Sequence, residues 1–196
     1  ARVFVNRIWQ GHFGRGLVST PNDFGTRGAP ATCPELLDHL ASEFVQSGWD
    51  VRALHRRILL SATYPLASPQ TQPDATAAPP DLYTTFTRRR LTAEELRDAM
   101  LRVSGDLNPA LGGVPVRPEI NLEAALQPRQ VMGALAAAWT PSPRPPDRHR
   151  RSIYALKLRG LRDPFCEVFN EPNPDLSCER REASTIVPQV FSLFNG

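Results

Sequence analysis

A mainly α fold with minor β content, irregular and rich in proline, is what this sequence predicts, and three observations carry it. Apolar residues recur at helical spacing through most of the first 64 residues and again after Thr92. Proline fills 20 of the 196 positions, about twice its usual share of roughly 5%, which favours loops and short elements over a regular bundle. Period-two alternation is convincing only once, from Arg151 to Arg159.

The opening stretch, Ala1 to Gly28 (ARVFVNRIWQGHFGRGLVSTPNDFGTRG), sets Val5, Ile8, Trp9, His12 and Phe13 on one helical face. That helix should stop near Gly14, where a positive φ carries no side-chain penalty. Ser19 to Asp23 then offers side chains that bond their own backbone in turns, so an ordered loop should fold back across the helix end. Asn6, Arg7, His12, Arg15, Asn22 and Asp23 are the candidate polar cluster this gathers, with His12 and Asp23 expected within hydrogen-bonding reach of each other or of a shared partner. The same face also reads as a plain core helix whose histidine makes one satisfied bond. Gly11, Gly14 and Gly16 make no phosphate loop, because they follow a helix in the order G-x-x-G-x-G and no lysine accompanies them.

Thr32-Cys-Pro-Glu35 has the form of a capping box opening a second helix, with Leu36, Leu37, Leu40, Ala41 and Phe44 as its stripe up to Gly48. Asp50 caps a third, Val51 to about Ala62, with Val51, Leu54, Ile58 and Leu59 inward and Arg52, Arg56 and Arg57 outward. These three helices make an N-terminal segment, 1–64. Residues 65–87, with five prolines between Pro65 and Pro80, read as a proline-rich linker.

The segment 88–126 holds the best-signalled helix. Thr92 is its N-cap, Glu95 the box partner, Leu91 and Leu96 the staple, Leu96, Ala99, Met100 and Val103 the expected buried stripe, and Gly105 the stop. Gly112, Gly113, Pro115 and Pro118 mark an extended connection before a helical turn at 122–126. A second proline-rich linker covers 127–150, with polyproline character over 141–146. The last segment, 151–196, carries the alternating strand, which needs a partner such as Val114–Arg117. Asp163-Pro164 then opens a helical turn with Phe165, Val168 and Phe169. Ser184 or Thr185, with Pro188, opens a final helix bearing Val190, Phe191 and Phe194. All five segments belong to one expected domain.

Formal charge is +3 and the sequence pI about 9.1, with Lys157 the only lysine. So small an excess, spread along the chain, does not argue for nucleic acid. No apolar run approaches the ~20 residues that span a bilayer. The helical pattern is already running at Ala1 without a cap, which predicts a fragment of a longer chain whose upstream domains cover apolar surface near the first helix and the strand. His39 and His55 read as surface or packed histidines rather than ligands, and no metal site or cofactor is expected in this chain. Cys33, Cys166 and Cys178 include no C-x-x-C, and Cys166 with Cys178 is the close pair that one internal disulfide could use. Arg88, Arg89 and Arg90 read as a solvated run and as a candidate anion site, since they precede a helix N-terminus and call for negative charge opposite.

Three blocks together resemble a known family. They are residues 2–28 with PELLDHLASEFVQSGWDVRALHRRILLSATY, then RRRLTAEELRDAMLRVSGDLNP with GG-x-P-V-x-P, then DPFCEVFNEPNPDLSCERREASTIVPQVFSLFNG. The likeness is to the planctomycete-specific domain of unknown function 1553 (PSD-one domain), and it spans nearly the whole chain. Departures are Cys33, where the family commonly has His, and Tyr64-Pro65-Leu66 in place of Tyr-Arg-Gln. The resemblance implies an exported, periplasmic or cell-surface multidomain protein with a cytochrome-c-like neighbour, where haem c would sit. It transfers no catalytic residue, and it adds Arg180 and Arg181 beside Cys178 to the candidate anion-binding arginines. The expected function is a non-catalytic interaction or structural module. The alternative is a hydrolase or redox-coupled enzyme domain acting on polysaccharide, for which Asp23, Glu35 and Asp38 are available acids.

Overall fold

In the computed structural model, which describes residues 1–68, 83–126, 128–131, 134–137 and 139–195, the expected single domain divides into two units, Ala1–Arg89 and Arg90–Gly196. The predicted linker at 65–87 belongs to the first unit, and its residues 69–82 lie outside those described.

Unit one opens with α1 (Arg2–Phe13), which ends where Gly14 turns left-handed at φ 76° and returns its N–H to the Gln10 carbonyl. Val5, Trp9 and Phe13 are buried as their spacing predicts. Helix α2 (Pro34–Gln46) buries Leu37, Leu40, Ala41 and Phe44. Its start corrects the predicted capping box. Pro34 takes the first helical position, so the cap falls on Cys33, which makes no side-chain cap bond, while the Thr32 N–H is spent on the Leu17 carbonyl at 2.8 Å.

Helix α3 (Val51–Leu59) is capped by Asp50, whose Oδ1 accepts from the N–H groups of Arg52 and Ala53 at 2.8 and 3.1 Å. It ends earlier than expected, and only Leu54 and Ile58 reach the core. Val51 and Leu59, the first and last residues of the helix, are 37% and 42% exposed. Tyr64, Tyr83 and Phe86 close the core from the side, with Tyr83 Oη donating to the carbonyls of Arg15 and Gly16.

Unit two begins with α4 (Ala93–Ser104), and both halves of its capping box are present: Thr92 Oγ1 accepts from the Glu95 N–H, and Glu95 Oε2 from the Thr92 N–H. Thr92→Ala is expected to lower stability by about 1 kcal/mol without touching the cavity described below. Equal urea midpoints for variant and parent would contradict that.

The buried stripe predicted for α4 is corrected. Met100 is 42% and Val103 89% exposed, Leu96 and Ala99 are half-buried, and the inward side also carries Ala93, Arg97 and Asp98. Long-range bonds make this affordable. Arg97 donates to the carbonyls of Arg148 and Arg150, and Asp98 Oδ1 accepts from both the N–H and the hydroxyl of Ser152.

The predicted second linker holds regular structure. Helix α5 (Leu122–Leu126) is followed by an antiparallel pair, β1 (Pro128–Val131) and β2 (Ala134–Ala137), in the register Pro128↔Ala137. Pro145, expected in a polyproline stretch, instead opens the short α6 (Pro145–Arg148) as its first residue. The alternating segment 151–159 is not a continuous strand. Ser152–Tyr154 forms a 3-10 turn, and pairing with the expected partner shrinks to one parallel bridge, Val116↔Ala155. Asp98 engages the Ser152 N–H from the side, and this takes the first residues out of any ladder.

Helix α7 (Pro164–Val168) is capped by Asp163, as expected. Helix α8 (Val187–Asn195) starts beyond both predicted caps, since the Ser184 hydroxyl bonds Asn170 Oδ1 instead. It points Val190, Phe191 and Phe194 outward and buries Gln189. No described helix is long and apolar enough to cross a membrane.

Candidate functional site

The polar residues singled out in α1 and its loop are each placed, but they do not form one cluster. Asn6 is fully buried and clamps one residue of the loop, donating Nδ2 to the Val18 carbonyl at 3.0 Å and accepting the Val18 N–H on Oδ1 at 2.8 Å. Arg7 reaches Asn22 Oδ1 at 2.7 Å on the surface. Arg15 is half-buried, and its carbonyl accepts from Tyr83. Asp23 caps its own turn, accepting from the Gly25 N–H. His12 does not meet Asp23. Its Nε2 lies 2.8 Å from His55 Nδ1, with the Tyr64 ring edge-on to it. The other acids are apart as well, with Asp38 paired to Arg2 and Glu35 exposed in the first turn of α2.

The two facing imidazole nitrogens share one proton, one donating and the other accepting. Burial, then His55 and then Arg89, pushes His12 below its ordinary value of 6.5. A base with a lowered folded pKa is less protonated folded than unfolded, so its share of stability is complete above pH 6.5 and lost as pH falls from there toward the lowered value. His12→Gln should therefore flatten part of the stability profile on the acid side of pH 6.5 in urea titrations. Parallel profiles for the two proteins would contradict it.

The arrangement with the most chemistry lies in unit two. The stretches around Glu94, Pro118, Trp139, 155–163, 171–174 and Arg181 converge on a cavity of about 210 Å³. Trp139 is buried and fixed by its indole N–H, which donates to the Pro118 carbonyl at 2.7 Å. Pro118, Pro172, Pro174, Leu156 and Leu158 supply further apolar wall. The charged lining is balanced: Glu94, Asp163 and Glu171 against Lys157, Arg162 and Arg181.

Two acids and two bases of the lining are paired with one another, Glu94 with Arg181 and Glu171 with Lys157. Arg181 grips Glu94 through two bonds, 2.5 and 3.0 Å. Burial opposes ionisation of Glu94, yet the bond from Arg181 and the local backbone N–H hold its carboxyl below the usual range. Its place in the first turn of α4 adds the favourable end of the helix dipole. Glu171, 7% exposed, pairs with Lys157. Arg162 donates Nη1 to Glu167 and Nη2 to the Glu171 carbonyl, both at 2.7 Å, while its buried Nε has no partner among the described residues. Asp163 accepts from the Phe165 N–H and, at 3.6 Å, from the Cys166 thiol.

Of the predicted anion-binding arginines, Arg181 is thus occupied by a carboxylate of its own chain. Arg90 donates to the Ser184 carbonyl and Gln189 Oε1, and Arg88, Arg89 and Arg180 are exposed. The expected disulfide is not formed. Cys166 is a buried thiol, pushed up by burial and then by Asp163 and Glu171, and Cys178 is an exposed one. Among the described residues no group of three or more His, Cys, Asp or Glu could hold a metal ion. Glu94, Lys157, Arg162 and Glu171 escaped sequence reasoning because their partners stand up to 87 residues away. Arg181 was singled out through the family resemblance, as a candidate anion-binding arginine and not as the partner of Glu94.

A family model described as "Protein of unknown function (DUF1553)" matches residues 1–196. No curated protein and no solved structure matches.

Proposed function

This chain belongs to the DUF1553 family of proteins of unknown function, and on that premise we propose that it is a non-catalytic interaction module whose binding site is the unit-two cavity. The observation that carries the reading is the pairing of the cavity's charges. Hydrolysis by two carboxylates needs one acid kept protonated near neutral pH and a second left ionised and open to the reacting centre. Glu94 is instead held ionised by Arg181, Glu171 is engaged by Lys157, and Asp163 caps α7. Side chains so matched shape a surface and fix the orientation of a ligand, and they leave no spare base.

The resemblance noted in the sequence supports the wider setting. We place the module in an exported planctomycete protein beside a cytochrome-c-like domain that holds the haem, since the three cysteines of this chain include no haem-attachment motif. The test uses the purified chain with insoluble extracellular polysaccharide. Retention without release of reducing ends is the expected result. Release of reducing ends that disappears in Glu94→Gln or Glu171→Gln would overturn the non-catalytic reading.

A further inference from the structure

We infer that the unit-two cavity takes an uncharged, polyhydroxylated ring, of the kind a saccharide residue presents; this rests on the binding role just proposed for the same cavity. Charge balance is the first ground. Three acids face three bases in the lining, and Glu94 with Arg181 and Glu171 with Lys157 are paired directly. An added carboxylate or phosphate would share Lys157 or Arg181 with the carboxylate it already holds, and an ammonium would share Glu94 or Glu171 with its cation, each adding a charge that nothing else in a partly buried site balances.

Hydrogen-bond capacity is the second ground. The ammonium of Lys157 has three donors and one carboxylate partner. The Arg162 guanidinium stands next to it, with one nitrogen on Glu167 and another on the Glu171 carbonyl. Beside these donors stands the Glu171 carboxylate, with one oxygen on Lys157 and lone pairs to spare. Donors and acceptors therefore lie side by side on one wall. A hydroxyl does both at once, whereas an acceptor-only anion or a donor-only cation satisfies half of that wall.

Size and the opposite wall are the third ground. A cavity of about 210 Å³ takes one small ring and lies under the roughly 300–1,000 Å³ of a drug-sized pocket. Trp139, Pro118 and Pro172 give that ring an apolar surface for its C–H face.

The experiment follows the indole N–H resonance of Trp139 in the full chain, labelled with nitrogen-15. It is titrated with glucose, mannose, N-acetylglucosamine, myo-inositol, acetate, phosphate and glycine. A saturable shift with one or more sugars, weakened at least tenfold in Glu171→Gln and in Pro174→Trp, is the expected result. The second variant fills the cavity without touching the ion pairs, and dispersed spectra confirm that both fold. A shift with myo-inositol and none with the sugars would assign the ring to a free cyclitol and overturn the saccharide assignment. Shifts with acetate, phosphate or glycine while the rings stay silent, or sugar shifts equal in both variants, would overturn the inference altogether. Either result leaves the interaction role standing if the chain is still retained on polysaccharide without cutting it. Loss of that retention is the separate failure of the proposed function.

Discussion

Replacing Asn6 with alanine is expected to cost unit one about 3 kcal/mol, the sum of two buried backbone groups stripped of partners at roughly 1–3 kcal/mol each, less some relaxation. Asn6 is 0% exposed, and its amide answers both the N–H and the carbonyl of Val18. A Cβ added at Gly16 would lie 2.7 Å from both polar atoms of the Asn6 side chain and from the Val18 carbonyl, so the loop backbone is pressed against the clamp. Asn6→Asp keeps the shape but aims a carboxylate at the Val18 carbonyl oxygen, and it should be as damaging as alanine. Urea titrations with unchanged slope and lowered midpoint are the readout. A loss below about 1 kcal/mol for both variants would show that the loop is held by its apolar residues, Leu17 and Val18, rather than by the clamp.

Asn6 also shows where the sequence was legible in unit one. Its helix could be read from Val5, Trp9 and Phe13, because the signal is local and repeats every turn. The return of the loop could be read from its turn residues. The partner of each polar group could not. Asn6 sits one place beyond Val5, on the edge of the apolar stripe, and only the folded-back loop decides that Val18 meets it and not Asp23. The Asp50 cap and the Thr92 box were legible for the same reason as the stripe, since each is complete within four residues.

Unit two misled apolar periodicity twice, and in the same way. On α4 the inward face carries Arg97 and Asp98, and on α8 it carries Gln189, while Val103 and Phe194 are 89% and 82% exposed. A helix is expected to bury its apolar stripe because unpaired polar groups are costly inside. Here the polar groups are paired, but with residues 19 to 99 positions distant: Arg148 and Ser152 for α4, Arg90, Val168 and Asn170 for Gln189. The cavity inherits this. Its charges are held by long-range pairs, so no spacing along the chain announces it, although the Asp163 cap and the turn at 112–113 that lead the chain around it were both legible.

The remaining large effect is expected at Glu171. Lys157→Met should destabilise unit two by about 2 kcal/mol, because it leaves a carboxylate that is 7% exposed without its cation. A fully buried pair broken in this way costs roughly 3–5 kcal/mol, and the smaller figure reflects a lysine that is 42% exposed, so that water reaches the site once the ammonium is gone. Glu171→Leu alone should cost less, since it leaves behind only a lysine that can turn into solvent. The double variant Lys157→Met with Glu171→Leu should recover most of the loss of Lys157→Met, the sign that the penalty lay in the stranded carboxylate and not in a missing attraction. Measured as a cycle of urea midpoints, a double variant that is simply the sum of the two singles would mean that Glu171 is satisfied by other groups, and that the pair is not what holds the wall of the cavity together.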